Sequence, residues 1–443
     1  MILVFDLGTQ SFRATLVDRD GRCQLAYSCP IETHRDGSIA EQDPVVWRGA
    51  LKAALQNIDK PSVTAITATA TLSGLVCLDA NDEPLRPAIL YGDRRPAVQL
   101  PAIEASAQYQ QSPFRAYSGD FLPQLHYLRD HEPSHFQNAK LLLDATGYLN
   151  YLLTGHPTLD RYTTLTCYGD PTGDFLKLGR IVDPGAVIGP ALDCAGAPVL
   201  SVSYDSAAAY LGSSLLEPGD ALDISGTVTS FGVLTNEQII DPQRRVFPIP
   251  YGDRWLLRGS TAMSGGVLEW ARQTLFDGTF AEFDQAVLAS PPGANGVTFL
   301  PFLAGARAPI WDPAATGTFH GFIAQTTRAD LARAVYEGLC FSLQHIVETI
   351  EQLGASVSNT QLGGGLSRNA LLNQMKADVT GRPVRPQLDT EVTTLGAASI
   401  AARAIGWLPL GGSYCQPGPA IAPKHTVYHQ AFDRYKTLLQ KIL

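Results

Sequence analysis

The sequence lacks a surplus of positive charge and a long apolar run, and each absence narrows the functions open to it. Its formal net charge of −9 argues against nucleic acid as the main partner and leaves no basic patch for a membrane surface. No apolar run approaches the ~20 residues that a transmembrane helix needs. The chain opens directly into an apolar strand, without a basic region or a cleavage site.

The sequence also lacks any pairing pattern among its cysteines. The seven are odd in number, scattered and in no C-x-x-C arrangement, which is untypical of a disulfide or zinc framework. They are Cys23, Cys29, Cys77, Cys167, Cys194, Cys340 and Cys415. We therefore expect reduced, mostly buried thiols in a cytoplasmic protein.

The length and composition indicate a globular enzyme of several domains. A chain of 443 residues is too long for one core and fits about two or three domains. Apolar residues make up 45% and charged residues 17% of the chain, an ordinary balance for an enzyme of this kind.

The opening stretch, MILVFDLGTQS, is the first candidate ligand site. An apolar strand stops at Asp6, and a carboxylate there is costly to bury unless a metal or hydrogen bonds compensate it. Gly8 permits a tight turn whose backbone N–H groups, with Thr9, Gln10 and the nearby Arg13, could cradle a phosphate. The alternative is a plain β-hairpin, because D-x-G-T is also a good hairpin connection.

A similar turn returns in the second half as ALDISGTVTSF, residues 221–231, with Gly226 and Thr227 at its centre. Two such turns, one near the start of each half, resemble the paired phosphate loops of the actin, Hsp70 and sugar-kinase superfamily. In that superfamily two similar ribonuclease H-like α/β domains clamp a nucleotide. The break at Glu217–Asp220 predicts domains at 1–219 and 220–443.

Two further positions follow predicted strands in the first half. Ser73 comes after the strand 63–69, where open α/β sheets bind ligands, or it is an ordinary turn serine. Asp205 follows the strand 199–203 and opens an alanine-rich helix, which Asp205 or Ser206 must cap. Asp205 is therefore either a catalytic carboxylate or a plain N-cap.

The remaining patterns predict local structure. Asp43 and Pro44 indicate the start of a helix, residues 120–155 are predicted to be helical, and 395–398 is predicted to be a tight helix-packing surface. In the second half two glycines open a helix at Gly265. A triple-glycine turn, residues 363–365, separates a strand from a helix, where a base or ribose could lie against the backbone, or the turn is simply flexible.

Taken together, these segments resemble the FGGY family of carbohydrate kinases over essentially the whole chain. The landmarks appear in that family's order, and nine weak motifs in sequence make a specific match. They are FDLGTQSFR, AEQDPVVW, AILYGDRR, YDSAAAYLG, DISGTVTS, SGGVLEW, FLPFLAGARAPIWDP, GTFHGF with DLARAVYEG, and LGGGLSRNALLNQMKADVTGRPV.

The resemblance implies an ATP-dependent kinase that transfers the γ-phosphate to a sugar hydroxyl. Asp205 would be the catalytic base, and Asp6 would organise Mg²⁺ through water. The residues implied to contact the transferring phosphate are Thr9, Gln10 and Arg13. Those implied to hold ATP from the second half are Gly226, Thr227, Gly265, Gly364, Gly365 and Asn369.

This chain departs from the family pattern in ways that affect the sugar. Ser203 and Tyr204 stand where glycines commonly precede the base, so we expect the local backbone to differ. The stretch 178–199 is short. The turn at Ser73 has neither the Arg-Glu pair of glycerol kinases nor the Met-His pair of xylulose kinases. A small hydroxyl residue there resembles the branch of the family that phosphorylates ribulose or related short ketoses, which implies a pentulose, ribulose or xylulose. Ser73, with Asp6 and Asp205, would hydrogen-bond the sugar hydroxyls. Tyr91 and Asp93 are further candidates for the sugar-binding wall.

Other substrates and classes stay open at this stage. Glycerol, gluconate, fuculose and rhamnulose are alternative substrates. An actin- or Hsp70-like ATPase would share the phosphate turns but lack AILYGDRR and the base, and a non-catalytic sugar sensor would have lost Asp6 or Asp205. The family resemblance also allows a homodimer.

Overall fold

The computed structural model describes residues 1–168, 178–194, 196–389, 391–424 and 427–443. The strands are β1 Ile2–Leu7, β2 Ser11–Val17, β3 Cys23–Pro30, β4 His34–Asp36, β5 Ile39–Gln42, β6 Ala65–Ala70, β7 Val76–Leu78, β8 Ala88–Ile89, β9 Leu141–Leu143, β10 Thr158–Asp160, β11 Arg180–Val182, β12 Val187–Pro190, β13 Pro198–Leu200, β14 Asp220–Ser225, β15 Thr229–Thr235, β16 Phe247–Tyr251, β17 Arg254–Ser260, β18 Thr298–Leu300, β19 Thr318–His320, β20 Asn359–Gly363 and β21 Val384–Pro386. The α-helices are α1 Pro44–Gln56, α2 Leu100–Glu104, α3 Ala107–Gln111, α4 Phe121–His131, α5 Pro133–Asn138, α6 Ala145–Thr154, α7 Arg161–Thr164, α8 Asp205–Gly212, α9 Gly265–Ala271, α10 Phe280–Ala289, α11 Arg328–Gln352, α12 Ala370–Thr380, α13 Val392–Ala404 and α14 Tyr428–Ile442. In the part of the chain so described, no helix combines the length and the apolar character needed to cross a membrane.

The chain forms two compact units. The first contains Met1–Ser214 and Val392–Cys415, and the second contains Leu215–Glu391 and Gln416–Leu443. The predicted division at residue 219 does not include the segment Val392–Cys415, which contains α13 and packs in the first unit although it follows most of the second unit in the chain. Close helix packing explains this placement, because a Cβ on Gly396 would come within 2.9 Å of Ala209 Cα in α8. The predicted tight packing surface at 395–398 is thereby confirmed.

The first unit is built on a six-stranded sheet in the order β12-β13-β6-β1-β2-β3. Strands β1, β2 and β3 form an antiparallel meander, while β6 is parallel to β1 and β13 is parallel to β6. The carboxyl ends of β1, β6 and β13 therefore meet at one edge of the sheet.

The second unit repeats this topology. Its sheet has the order β16-β17-β15-β14-β20-β21, with β14, β15 and β17 antiparallel and β20 and β21 parallel to β14. The first unit's series β3-β2-β1-β6-β13 thus corresponds to the second unit's series β17-β15-β14-β20-β21. This repeat confirms the predicted α/β fold with two ribonuclease H-like domains.

Alternation along β1 assigns its two faces. Leu3, Phe5 and Leu7 share a buried apolar cluster with α1 and α6. Asp6 therefore points to the other face, towards which α13 packs on β1 and β6, with α8 against α13. Asp6 and the helix α8, which begins at Asp205, thus lie on the same side of the sheet.

The structure confirms two local predictions and contradicts part of a third. The helix α1 begins at Pro44 with Asp43 as its N-cap, whose side chain accepts from the Val45 N–H at 2.9 Å, as predicted. All seven cysteines are free, and five of them are buried. The helical prediction for 120–155 is wrong in its middle, because the apolar segment Leu141–Leu143 pairs as a strand with Val76–Leu78. Such pairing across the chain overrides local helical periodicity.

Candidate active site

The first unit brings three predicted site segments to one sheet edge. Asp6 on β1 lies opposite Thr69 on β6 in the strand register. The Thr69 hydroxyl then donates to the backbone carbonyl of Ser203, 2.8 Å away, in the loop that follows β13. Asp6, the loop of Ser73 after β6, and the segment before Asp205 are therefore linked through neighbouring parallel strands.

Asp6 is buried, with 4% of its surface exposed, and its carboxylate pairs with Arg13 at 2.5 Å. The two residues face each other across the β1–β2 hairpin, so the predicted hairpin is confirmed. The turn itself presents Thr9 and Gln10 to solvent. An exposed turn with a guanidinium at its base is a suitable surface for an anion.

A buried glutamine that sequence reasoning missed supports this turn. The Gln42 side-chain amide donates to the Thr9 carbonyl at 3.0 Å and to Thr33 Oγ1 at 2.9 Å. Its own carbonyl accepts from the indole N–H of Trp47 at 2.9 Å. The AEQDPVVW motif therefore holds the first turn in place, which explains why it accompanies that turn.

Asp205 is the first residue of α8, and its carboxylate accepts from the Ser206 N–H at 2.5 Å. The expectation that Asp205 or Ser206 is the N-cap is wrong, because Tyr204 occupies that position with extended backbone and no side-chain cap bond. Asp205 is instead a carboxylate in the first turn, where the helix dipole favours its ionised form.

The residue before the cap has an unusual backbone. Ser203 has a φ of 111°, in the region where glycine is the usual residue, and it is completely buried. The serine therefore holds a glycine-like conformation, contrary to the expectation that it gives the loop a different backbone.

Ser73 combines backbone strain with an unsatisfied hydroxyl. Its φ is 64°, its surface is fully buried, and its Oγ has no hydrogen-bond partner among the residues described. The backbone carbonyl of Ser73 accepts from Ala145 N–H at 2.9 Å, which fixes the turn. Ser201 Oγ and Thr158 Oγ1 are likewise buried without a described partner, so what distinguishes the Ser73 hydroxyl as a ligand candidate is its place in the loop after β6.

Tyr91 and Asp93 have different surroundings. Asp93 is fully buried, and its carboxylate accepts from the Ala40 N–H at 3.0 Å and from the Arg95 guanidinium at 2.7 Å. Arg95 also pairs with Glu41. Asp93 therefore has internal partners that explain its presence without a sugar. Tyr91 is half-buried, and its ring packs on Tyr117 with centroids 5.1 Å apart.

The second unit packs three of its predicted site glycines together. Gly265 N–H donates to the Gly226 carbonyl at 2.9 Å, and a Cβ at Gly265 would lie 2.6 Å from that oxygen. Gly364 has a φ of 80°, and a Cβ there would lie 2.6 Å from the Ser225 carbonyl. Side chains are thus excluded around the second turn, whose Thr227 is exposed.

Asn369 caps α12 and is held by neighbouring side chains. Its carbonyl accepts from Leu372 N–H at 2.8 Å, and its amide donates to Asp284 and to the Tyr336 hydroxyl at 3.2 and 3.1 Å. Its side-chain groups are therefore used within the unit. Gly365, in contrast, has open space where a Cβ would be.

A buried ion pair beneath the second turn was not predicted. Lys376 Nζ contacts the Asp223 carboxylate at 2.7 Å and Ser225 Oγ at 2.9 Å. A chain of hydroxyls continues from Ser225 through Thr229 to Ser264, with oxygens 2.9 and 2.8 Å apart. The network links α12 to the residue before α9, and the alternation of Asp223 and Ser225 on β14 is its one sequence signal.

Known proteins resemble this chain over nearly its full length. The profile described as "FGGY family of carbohydrate kinases, N-terminal domain" matches residues 1–166, and the C-terminal profile of the same family matches residues 222–405. The chain belongs to the FGGY family of carbohydrate kinases. It is therefore an ATP-dependent phosphotransferase that acts on an alcohol group of a small carbohydrate, and an actin- or Hsp70-like ATPase is set aside.

Individual FGGY relatives carry several substrate names. A xylulose kinase of Staphylococcus epidermidis is 27% identical and covers 100% of this chain and 97% of its own length. A glycerol kinase of Dechloromonas aromatica is 30% identical over 92% of this chain and 89% of its own. A gluconate kinase structure from Lactobacillus acidophilus matches with a TM-score of 0.91 at 23% identity, covering 99% and 97%. The family is thus clear, while the names differ in substrate.

Proposed function

We propose that this FGGY kinase phosphorylates a small ketose, D-ribulose or xylulose, with Asp205 as the general base. The observation that carries the proposal is the partnerless buried hydroxyl of Ser73, at the sheet edge shared with Asp6 and Asp205. A sugar hydroxyl would satisfy it, and Tyr91 lies on a half-buried segment that could add a wall. Asp93 is a weaker candidate, because its carboxylate already has Arg95 and Ala40 as partners.

In the proposed reaction Asp205 accepts the proton of the attacking sugar hydroxyl. That oxygen forms a bond to the γ-phosphorus, the bond to the bridging oxygen breaks, and ADP leaves with the electron pair. The position of Asp205 in the first turn of α8 keeps the carboxylate ionised before the transfer. A carboxylate is a sufficient base because phosphoryl transfer depends mainly on position and charge neutralisation.

Arg13 and the turn residues Thr9 and Gln10 are proposed to contact the transferring phosphate. The Arg13 side chain is 36% exposed, so its guanidinium can turn from Asp6 towards an anion. In the second unit we assign the β- and γ-phosphates to Gly226 and Thr227, on the turn that side chains leave open.

Adenosine is assigned to glycines of the second unit. Gly265 and Gly364 exclude side chains around the second turn, and Gly365 leaves open space where a ring could lie. Asn369 belongs to the same segment as the cap of α12, and its proposed part is to keep the helix start in place.

Asp6 fits the role of a single carboxylate that holds Mg²⁺ through water. Mg²⁺ keeps several waters and uses only one or two carboxylates together with substrate phosphates, so a large protein cage is unnecessary. Among the residues described, no group of three or more His, Cys, Asp or Glu forms such a cage. When bound, Mg²⁺ would neutralise phosphate charge, and Asp6 would hold its water shell.

The choice of a pentulose rests on the small hydroxyl residue at position 73. The relatives named xylulose kinase support that class of sugar, although their Met-His pair is absent here. Glycerol, gluconate, fuculose and rhamnulose remain the alternative substrates. Assembly as a homodimer and a cytoplasmic location also stay predictions of the family resemblance and of the free cysteines.

The test is coupled ADP release with Mg-ATP against D-ribulose, D-xylulose, L-ribulose, L-xylulose, L-fuculose, L-rhamnulose, erythritol, glycerol and gluconate. We expect one pentulose to exceed the rest. Ser73→Ala should then raise the KM for that sugar about tenfold, because a lost hydrogen bond leaves a polar group unpaired at ~1–3 kcal/mol. The matched control is Ser201→Ala, another buried hydroxyl without a partner in the described part of the chain. Preferred turnover of glycerol or gluconate would contradict the substrate assignment.

A further inference from the structure

The loop before Asp205 contains a strained residue that the proposed reaction does not explain. Ser203 has a φ of 111°, a region that residues with a Cβ rarely occupy. Such a conformation persists only where its surroundings over-determine it, and it clusters at functional sites. Ser203 is also completely buried, so solvent contributes nothing to holding it.

Two hydrogen bonds fix Ser203 in this conformation. Its hydroxyl donates to a carboxylate oxygen of Asp160 at 2.8 Å, and its carbonyl accepts from the Thr69 hydroxyl at 2.8 Å. The first bond uses the side chain that a glycine would lack. The second ties the backbone to the central parallel strand β6.

Asp160 is itself held firmly. It lies at the end of β10 and caps α7 by accepting from the Thr163 N–H at 2.9 Å. The Thr163 hydroxyl contacts both Asp160 and Asp144, at 3.3 and 2.9 Å, and Asp144 caps α6 through Gly147 N–H at 2.8 Å. The anchor of Ser203 thus belongs to a buried cluster that joins the starts of two helices.

We propose that Ser203 is a positioning residue for catalysis. Its hydroxyl, bonded to Asp160, holds the positive-φ backbone conformation that directs Asp205 towards the substrate. The inference rests on the proposed role of Asp205 as the base. Ser203 is separated from Asp205 by the N-cap Tyr204 alone, so a rotation about its φ moves the carboxylate directly. A misplacement of about 1 Å can reduce a reaction rate about 100-fold.

A glycine at this position would adopt the same φ without strain but without a tether. Compared with glycine, the serine has a strained backbone at this φ but gains a hydrogen bond to the buried Asp160. If the tether matters, its removal lowers kcat even where the fold is undisturbed. If it does not, Ser203 is a buried residue whose hydroxyl affects stability alone.

The test compares Ser203→Gly, Ser203→Ala and the control Ser201→Ala. The control removes a buried hydroxyl two residues away that makes no hydrogen bond with any residue that the structure describes. Ser203→Gly can adopt the same φ without strain, so the variant is expected to fold. It lacks the bond to Asp160, so kcat is expected to fall several-fold. Ser203→Ala keeps the strain and lacks the bond, so we expect a loss of about 10- to 100-fold. The KM for ATP should change less than about twofold in both, because neither variant alters a residue that is proposed to contact ATP.

Turnover is expressed per folded enzyme, with thermal unfolding measured in parallel. A kcat of Ser203→Gly equal to that of Ser201→Ala overturns the inference, whatever happens to Ser203→Ala. Asp205→Ala separates the two proposals. If that variant is inactive and Ser203→Gly is normal, the positioning role alone fails; if Asp205→Ala turns over normally, the assignment of the base fails and the positioning role with it.

Discussion

The two units share one sheet topology but treat the carboxylate of their first strand in opposite ways. In the first unit Asp6 pairs with Arg13, whose side chain is 36% exposed. In the second, Asp223 pairs with Lys376, and their side chains are 0% and 5% exposed. A pair that reaches solvent can exchange one partner for a ligand, whereas a sealed pair cannot without leaving a buried charge. The first turn is therefore suited to exchange with a phosphate and the second to a rigid frame.

A second contrast is between these cation-paired carboxylates and two carboxylates for which no cationic partner is described. In the first unit Asp144 and Asp160 are fully buried, and the hydrogen bonds described for them come from hydroxyls and backbone N–H groups. Burial raises the pKa of Asp144 to about 7 and that of Asp160 to about 6, and the charge of Asp160 adds to the shift of Asp144. Near the proposed base, the protein thus keeps groups that can hold a proton.

The largest expected effect is the loss of turnover on replacing Asp205. This variant tests whether the first unit supplies the catalytic base. Asp205→Ala removes the proposed proton acceptor, so kcat should fall by about 10²- to 10⁴-fold. ATP binding, measured by calorimetry, should stay close to that of the wild type, since the residues assigned to ATP in the second unit are intact. Asp205→Asn, which keeps the shape, should be equally inactive. Near-normal turnover in either variant would mean that Asp205 merely begins a helix.

The next effect tests the sealed pair of the second unit. Lys376→Met leaves the Asp223 carboxylate buried and uncompensated, which should lower the free energy of unfolding by about 3–5 kcal/mol. Adding Asp223→Leu should restore most of the loss, because a buried pair replaced by apolar residues is often neutral. Urea unfolding measures both.

The matched variant in the first unit is Arg13→Met, read for stability alone. Because the Arg13 side chain is 36% exposed and that of Lys376 only 5%, water can replace part of the contact with Asp6, and the loss should be clearly smaller than that of Lys376→Met. Equal losses would contradict the distinction between an exchangeable and a sealed pair.

These contrasts also show what the sequence could predict. Residues close together in the chain, such as the β1–β2 hairpin and the Asp43 cap of α1, were predictable because local geometry and propensity decide them. The repeated Gly-Thr turn revealed the duplicated fold because the same topology imposes the same turn twice. Family landmarks supplied the remaining candidate site residues.

Contacts between distant segments were not predictable. Lys376 and Asp223 are 153 residues apart, and no local pattern marks a lysine on α12 as the partner of a strand carboxylate. The bond from Ser203 to Asp160 spans 43 residues, and a serine in a glycine-like backbone contradicts propensity. The return of α13 depends on Gly396 meeting α8, which needs the folded geometry.

The remaining expected effect is a gradual one, on the pH dependence of stability, and it tests the contrast between carboxylates with and without a cationic partner. Below about pH 4 both the folded and the unfolded chain hold the Asp144 proton. Between about pH 4 and pH 7 the unfolded chain releases it while the folded chain, with a pKa of about 7, retains it. The unfolded state then binds fewer protons, so this group makes the free energy of unfolding fall as pH rises through that window. Above about pH 7 its contribution is constant.

The measurement is urea unfolding of wild type and Asp144→Asn at several pH values from 4 to 8. Asparagine caps a helix as well as aspartate does, so the Gly147 contact of α6 is retained. Subtracting the two curves cancels titrating groups that do not interact with Asp144 and leaves Asp144 together with its neighbour Asp160. The difference should shift in favour of the variant by a few kcal/mol across the window, at about 1.4 kcal/mol per pKa unit. A flat difference would mean that Asp144 ionises normally inside the protein. The hydroxyls and N–H groups around it would then stabilise a buried charge as well as Lys376 does in the other unit.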